Sequence, residues 1–290
     1  MKCKLCAGEV VNSDIKPRDS EEFFVVTCSE CGCVQLDHFP DYESDKAFYD
    51  SNSQAQWVEN IDLMAIENKL RDDTIRRADF LAGIVPENGI IADIGTGYGF
   101  LIKEMMERGY QIDGYEIGDS RRKLAEKITG QEIFSNNILQ ENIELNSEYD
   151  CITLFQVLEH ISEPTLFLRK LFKALKPGGK LIIEVPNYSD WLIKENEAYR
   201  KFYYQRAHLF YYDKKSLSKL FQLENFSKYE FIFIQRYSIK NAYNWLINSK
   251  PQIANPDHYE QGLQADIDQA YKKIIKGKEM TDTLITIIER

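Results

Sequence analysis

From about Lys69 onward, short and almost wholly apolar strands alternate with amphipathic helices. The runs "GIIADIG" (89–95), "QIDGYEI" (111–117), "YDCITLF" (149–155) and "KLIIEVP" (180–186) read as strands. Between them "FLIKEMMERGY", "SRRKLAEKI" and "PTLFLRKLFKAL" have helical periodicity, and "DTIRRADFLAGI" (73–84) precedes the first strand as a helix. "QEIF" (131–134) is a weaker strand, and "KPGG" stops the helix that opens at Pro164. Strands apolar on both faces and separated by helices pack as a parallel sheet covered on each side. Beyond Asp213 the pattern continues with a helix, "KKSLSKLFQL", a long β-rich run, "YEFIFIQRYSI", the helical "GLQADIDQAYKKIIKG" and a last strand, "DTLITIIE".

The first strand runs into "IADIGTGYGF" (91–100), with glycines at 95, 97 and 99 and a helix starting near Gly99. Glycine admits positive φ and close backbone approach, and a helix N-terminus favours polar or anionic groups. The spacing is G-x-G-x-G, not the G-x-G-x-x-G of dinucleotide sites. Asp93 puts a carboxylate where a pyrophosphate would otherwise lie, which suits a cationic ligand. Glu116, ending the second strand about twenty residues on, stands where an acid accepts both hydroxyls of a ribose.

The N-terminus has a different character. Five of the six cysteines fall between Cys3 and Cys33, and Cys151 lies alone in an apolar strand. Cys3-x2-Cys6 and Cys28-x2-Cys31, each followed by a glycine (Gly8, Gly32), can present four thiolates tetrahedrally to Zn2+. Cys33 is an alternative to Cys31. Four thiolates fill the zinc shell, so such a metal is structural, and it supplies stability that so small a unit lacks. The expected organisation is a zinc-ribbon module at 1–40, a polar and aromatic connecting segment with helical parts at 41–68, and an α/β domain at 69–290.

No apolar run approaches the ~18–20 residues of a membrane span, and the N-terminus lacks a signal-peptide core; a cytoplasmic protein is expected. The net charge of −10 opposes long-range attraction to nucleic acid. Residues 1–40 are themselves acidic, with four Lys/Arg against seven Asp/Glu.

Taken in order, "DIGTGYG", "GYE", "LFQVLEHI" and "LKPGGKLIIEVPN" resemble the signature segments of class I S-adenosylmethionine (SAM)-dependent methyltransferases, over roughly residues 69–290. The resemblance implies a Rossmann-like, seven-stranded mixed sheet, behind the N-terminal zinc ribbon in this chain. It implies that Gly95, Thr96, Gly97, Tyr98 and Gly99 line SAM, with Asp93 by its amino group and Glu116 on the ribose hydroxyls. Asn136 or Asn137 would lie near adenine and Gln156 by the methionine part. Tyr98 either packs on the cofactor or covers the turn.

His160, in "LEHI", follows the fourth strand at the ligand-binding edge of such sheets; it is a candidate base or a loop-fixing residue. His208 lies in "YYQRAHLFYYD", which resembles the E-H-x-x-Y-F stretch of deoxysugar methyltransferases, where the histidine acts as base. Ala207 stands where that pattern has Glu. Tyr199, Phe202, Tyr203, Tyr204, Phe210, Tyr211 and Tyr212 make this segment aromatic, as suits sugar rings or packing beneath a lid, with Trp191 and Trp245 as further candidates. An insertion at about 240–278 is where the family builds a substrate cover or dimer contact, so a homo-oligomer is allowed.

Zinc ribbons ahead of this domain are similar to those of sugar C-methyltransferases, where ribbon and linker shape the acceptor pocket; this brings in Tyr42, Tyr49 and Trp57. They also occur in some ribosomal RNA methyltransferases. The expected function is therefore methyl transfer to a small polar acceptor, a nucleotide-linked sugar or surface-polysaccharide precursor. An RNA methyltransferase and a non-catalytic SAM-binding interaction protein are the alternatives.

Overall fold

The computed structural model of the chain describes residues 1–40, 62–135, 138, 145, 148–250 and 261–290. Two compact units emerge. One comprises Met1–Phe39, Gln156–Thr165 and Ile183–Ile287; the other comprises Pro40–Phe155, Leu166–Ile182 and Ile288–Arg290.

The strands, in chain order, are β1 (Val10–Val11), β2 (Val25–Cys28), β3 (Val34–Leu36), β4 (Ile90–Ile94), β5 (Gln111–Tyr115), β6 (Ile133–Phe134), β7 (Tyr149–Phe155), β8 (Leu175–Pro186), β9 (Phe210–Tyr211), β10 (Tyr229–Ile234) and β11 (Thr283–Glu289). Among the described residues they form a seven-stranded mixed sheet in the order β10-β11-β8-β7-β4-β5-β6 and a four-stranded sheet in the order β1-β2-β3-β9. The larger is the Rossmann-like, seven-stranded mixed sheet that the resemblance implies.

In the unit that holds the glycine turn, β4 lies between β5 and β7 and is parallel to both, with Ile91 opposite Ile112 and Cys151. Ile91 and Ala92 are fully buried, as a central parallel strand requires. The helices here are α1 (Leu63–Ala82), α2 (Phe100–Glu107), α3 (Asp119–Thr129) and α4 (Pro164–Ala174), the last of which begins in the other unit. The sequence pattern places the start of α1 about ten residues too late. The Asp62 carboxylate accepts from Ala65 N–H at 3.0 Å and caps the helix from within the connecting segment. "KPGG" ends α4 as expected, yet the β8 ladder already begins at Leu175, and Gly178 turns the chain at φ +78°.

The other unit adds α5 (Trp191–Glu195), α6 (Glu197–Tyr203), α7 (Lys214–Leu223), α8 (Ile239–Asn248) and α9 (Leu263–Gly277). A capping box between Asp213 and Ser216 fixes the start of α7. The β-rich run after Tyr229 is shorter than its composition suggests. Asp282 gathers the N–H groups of Arg236 and Tyr237, the ladder stops at Ile234, and a helix opens after Ser238.

Candidate functional site

The glycine turn is built from its strand outward. Asp93, near the end of β4, is buried, and its two carboxylate oxygens accept from Thr153 Oγ1 at 2.6 Å and Thr96 Oγ1 at 2.8 Å. The N–H groups of Gly95 and Thr96 both donate to the carbonyl of Tyr115. Gly95, Gly97 and Gly99 have φ of +75°, +59° and +80°, the left-handed region that glycine enters freely. At Gly99 a Cβ would also lie 2.9 Å from Thr129 Cγ2 and 3.1 Å from Ala125 Cβ, so this glycine lets α2 approach α3.

Glu116 spans the turn. Its carboxylate accepts from Gly97 N–H at 3.0 Å and from Gly118 N–H at 2.8 Å. Burial pushes both Asp93 and Glu116 above the ordinary carboxylate range; the threonine hydroxyls oppose this at Asp93, and the Gly118 amide opposes it at Glu116. The Tyr98 ring is tilted against that of Phe100, and the Arg121 guanidinium lies 6.0 Å from the Tyr98 ring centre. Asn136 and Asn137 lie outside the described residues, as do Tyr42, Tyr49 and Trp57.

In the other unit, Gln156 carries φ +60°, an uncommon conformation for a side chain of this size. Two contacts with Glu184 hold it there: Gln156 N–H donates to the Glu184 carbonyl at 2.8 Å, and its amide reaches the carboxylate at 3.4 Å. A 3-10 turn, Leu158–His160, follows. His160 Nδ1 bonds the Ala207 carbonyl at 2.7 Å, and the rings of His160 and His208 meet edge to face at 4.9 Å. Burial holds His208 well below the usual imidazole range, and His160 and then Arg18 add to the effect.

The structure brings Glu159 to these two histidines, with one ligand atom of each residue within 4.8 Å of the others. No signal in the sequence singles out Glu159, because a buried acid in an apolar turn carries no periodicity. Arg77, whose charge lowers Asp93 and whose guanidinium lies 4.8 Å from the Phe155 ring centre, was likewise not legible.

The four cysteines converge as their spacing suggests. Cys3 and Cys31 sulfurs are 3.8 Å apart, Cys6 and Cys28 sulfurs 3.5 Å, and all four lie within 4.8 Å of one another. A tetrahedron with metal–sulfur bonds of ~2.3 Å has edges of about 3.8 Å, so the donor set fits zinc. The two knuckles are alike. Leu5 N–H and Cys31 N–H each donate to a cysteine sulfur at 3.4 Å, and Ala7 N–H and Gly32 N–H each donate to the carbonyl four residues back. The left-handed residue is Gly32 in one knuckle (φ +75°) but Ala7 in the other (φ +61°), not the Gly8 that the spacing suggests. Cys33 is fully buried and outside the converging four.

This module is joined to the aromatic segment around His208. β3 pairs antiparallel with β9, with Val34 opposite Tyr211. Arg18 lies 3.9 Å over the Phe202 ring and donates to Gln205 Oε1 at 3.3 Å, and Arg206 N–H donates to Asp19 at 2.7 Å. Most of the aromatic side chains are packing: Tyr204, Phe210, Tyr211 and Tyr212 are buried. Trp245 is buried too, in a cluster with Leu192 and Ala242 against which Trp191 and Tyr199 pack. Beside the cysteines a cleft of about 660 Å3 is lined by Cys6, Glu30, Lys214, Lys215 and Lys219 among others.

The family described as "Methyltransferase domain" matches residues 65–230, more than half of the chain, and the chain belongs to it. Among curated relatives, a ubiquinone biosynthesis O-methyltransferase of Idiomarina loihiensis is 31% identical over 110 residues, covering 36% of this chain and 45% of the relative. Its counterpart from Dechloromonas aromatica is 28% identical over 159 residues, covering 53% and 63%. The chain thus spans less than two thirds of the length of either. A SAM-dependent methyltransferase structure from Archaeoglobus fulgidus superposes with a TM-score of 0.51 at 16% identity, covering 78% of this chain and 99% of that one, a likeness of fold. Among the described residues no helix is long and apolar enough to cross a membrane.

Proposed function

We propose that this protein transfers a methyl group from SAM to a small polar acceptor. The observation that carries this reading is the glycine turn with a buried carboxylate on each side, Asp93 and Glu116. Two carboxylates in a low-dielectric site repel a pyrophosphate and favour a ligand that is cationic and rich in hydroxyls. SAM is such a ligand. In this reading Glu116 takes the ribose hydroxyls, Asp93 lies by the amino group, and Gly95, Thr96, Gly97, Tyr98 and Gly99 line the cofactor. Gln156 faces the methionine part, and Asn136 or Asn137 faces adenine.

Methyl transfer asks the protein to align an acceptor and to deal with its proton. His160 and His208 are the groups we assign to the acceptor. Cys3, Cys6, Cys28 and Cys31 hold a structural Zn2+ in a ribbon at residues 1–40, ahead of a methyltransferase domain at 69–290. That zinc, with its shell filled by thiolates, supplies stability and no open coordination position.

For the acceptor, a nucleotide-linked sugar or polysaccharide precursor is supported by the resemblance of the segment around His208 to the deoxysugar methyltransferase stretch. The names of the curated relatives favour a second reading, O-methylation of a precursor in ubiquinone biosynthesis. The acidic residues of 1–40 argue against RNA. Calorimetry with SAM, followed by product mass analysis over nucleotide sugars and ubiquinone precursors, tests the proposal. A chain that binds no SAM would end it, and the product that gains a methyl group identifies the acceptor class.

A further inference from the structure

Glu159, His160 and His208 bring one carboxylate and two imidazoles together outside the cysteine cluster. Their backbone is tied at two points: Leu209 N–H donates to the Glu159 carbonyl at 2.8 Å, and His160 Nδ1 bonds the Ala207 carbonyl at 2.7 Å. A carbonyl can only accept, so His160 carries its hydrogen on Nδ1 and presents the lone pair of Nε2. This backbone-held tautomer is the usual preparation of a metal-binding histidine.

The orientation of Gln205 makes the same point for His208. Arg18 donates to Gln205 Oε1 at 3.3 Å, which turns the amide nitrogen toward the His208 ring, 3.0 Å from Nε2 and 3.3 Å from Nδ1. An amide N–H aimed at a ring nitrogen meets a lone pair, and an ion would take that lone pair over from the amide. Glu159 is buried, 1% exposed as a residue, with its carboxylate beside the two imidazoles.

We propose that Glu159, His160 and His208 form a second metal site, which binds one divalent transition-metal ion such as Zn2+ or Co2+ through a carboxylate and two imidazoles. Three protein ligands leave coordination positions open, as in catalytic rather than structural zinc sites. The donor set is nitrogen and oxygen, so its preference differs from that of the four thiolates. An acceptor hydroxyl bound at an open position would be oriented and made more acidic. That role rests on the methyltransferase reading, whereas ion binding does not.

The test is a Co2+ titration of the full chain with zinc already in its cysteines, followed by visible absorption and metal analysis. The expected result is one further metal per chain, with the weak visible bands of a nitrogen and oxygen site and no thiolate-to-cobalt charge transfer. Glu159→Gln and His208→Ala should each weaken it at least ~10-fold, while His38→Ala, outside the cluster, should not. If His208→Ala fails to fold by circular dichroism, the near-isosteric Glu159→Gln decides. Absence of a second metal, charge-transfer bands alone, or equal affinity in the Glu159 variant would overturn the proposal. SAM calorimetry on the same samples separates the two readings: cobalt binding without SAM binding ends the methyltransferase reading and leaves the metal site standing.

Discussion

Glu116 carries two tasks at once: it accepts from the backbone on either side of the cofactor turn and, in our reading, from the ribose. Glu116→Ala should reduce SAM affinity by ~10–100-fold, the worth of hydrogen bonds to a charged group at about 1.5–3 kcal/mol, as measured by calorimetry. Unchanged affinity would remove the ribose assignment. Asp190 offers a different residue-level prediction. It caps α5 through Leu192 N–H and accepts from Tyr199 Oη at 2.7 Å, while burial, then the charge of Asp282, pushes it up to about 7. A carboxyl raised in the folded state holds its proton more tightly there than in the unfolded chain. Its contribution therefore favours folding at pH below ~4 and is lost as the pH rises toward 7. The full loss is on the order of 4 kcal/mol. Melting temperatures measured from pH 5 to 8 should fall for the wild type, and Asp190→Asn should flatten that slope.

At the scale of elements, the contact of α2 with α3 depends on a position without a Cβ. Gly99→Ala must hold φ +80° and press on Thr129 and Ala125, so it should cost about 1–3 kcal/mol, read as a lower melting temperature. The cysteine knuckles yield another expectation. Cys28→Ser should abolish stoichiometric zinc by metal analysis and open residues 1–40 to limited proteolysis, because so short a stretch has little core without its metal. The sheet and its glycine turn were legible in the sequence because the central strands β4, β7 and β8 are nearly continuous apolar runs and the turn after β4 carries three glycines. The start of α1 was not, since its cap is a single aspartate in a polar run. Nor was the early end of β10, which is set by Asp282, far along the chain. Cys3, Cys6 and Cys28 were legible from spacing, with Cys31 or Cys33 as the fourth; the convergence of the side chains selects Cys31. Glu159 was not legible, because only tertiary structure puts it beside His208.

For the molecule as a whole, a cofactor that binds only the folded chain adds stability by mass action. S-adenosylhomocysteine at a hundredfold excess over its dissociation constant should contribute about 2.7 kcal/mol and raise the melting temperature by several degrees; Glu116→Ala should lose that increment at the same concentration. The net charge of −10 leads to a further expectation at this scale. Retardation by RNA should be absent at physiological salt, since no overall positive field draws the polyanion in. The pairing of β3 with β9 bears on how the chain comes to be folded. The cysteine knuckles leave the ribosome long before Phe210–Tyr211, the strand that completes their sheet. Pairing across so long a loop is slow to form. Through that interval an early-bound zinc ion would keep the two knuckles together and the edge of β3 in register, so metal supply during synthesis should govern the yield of soluble protein.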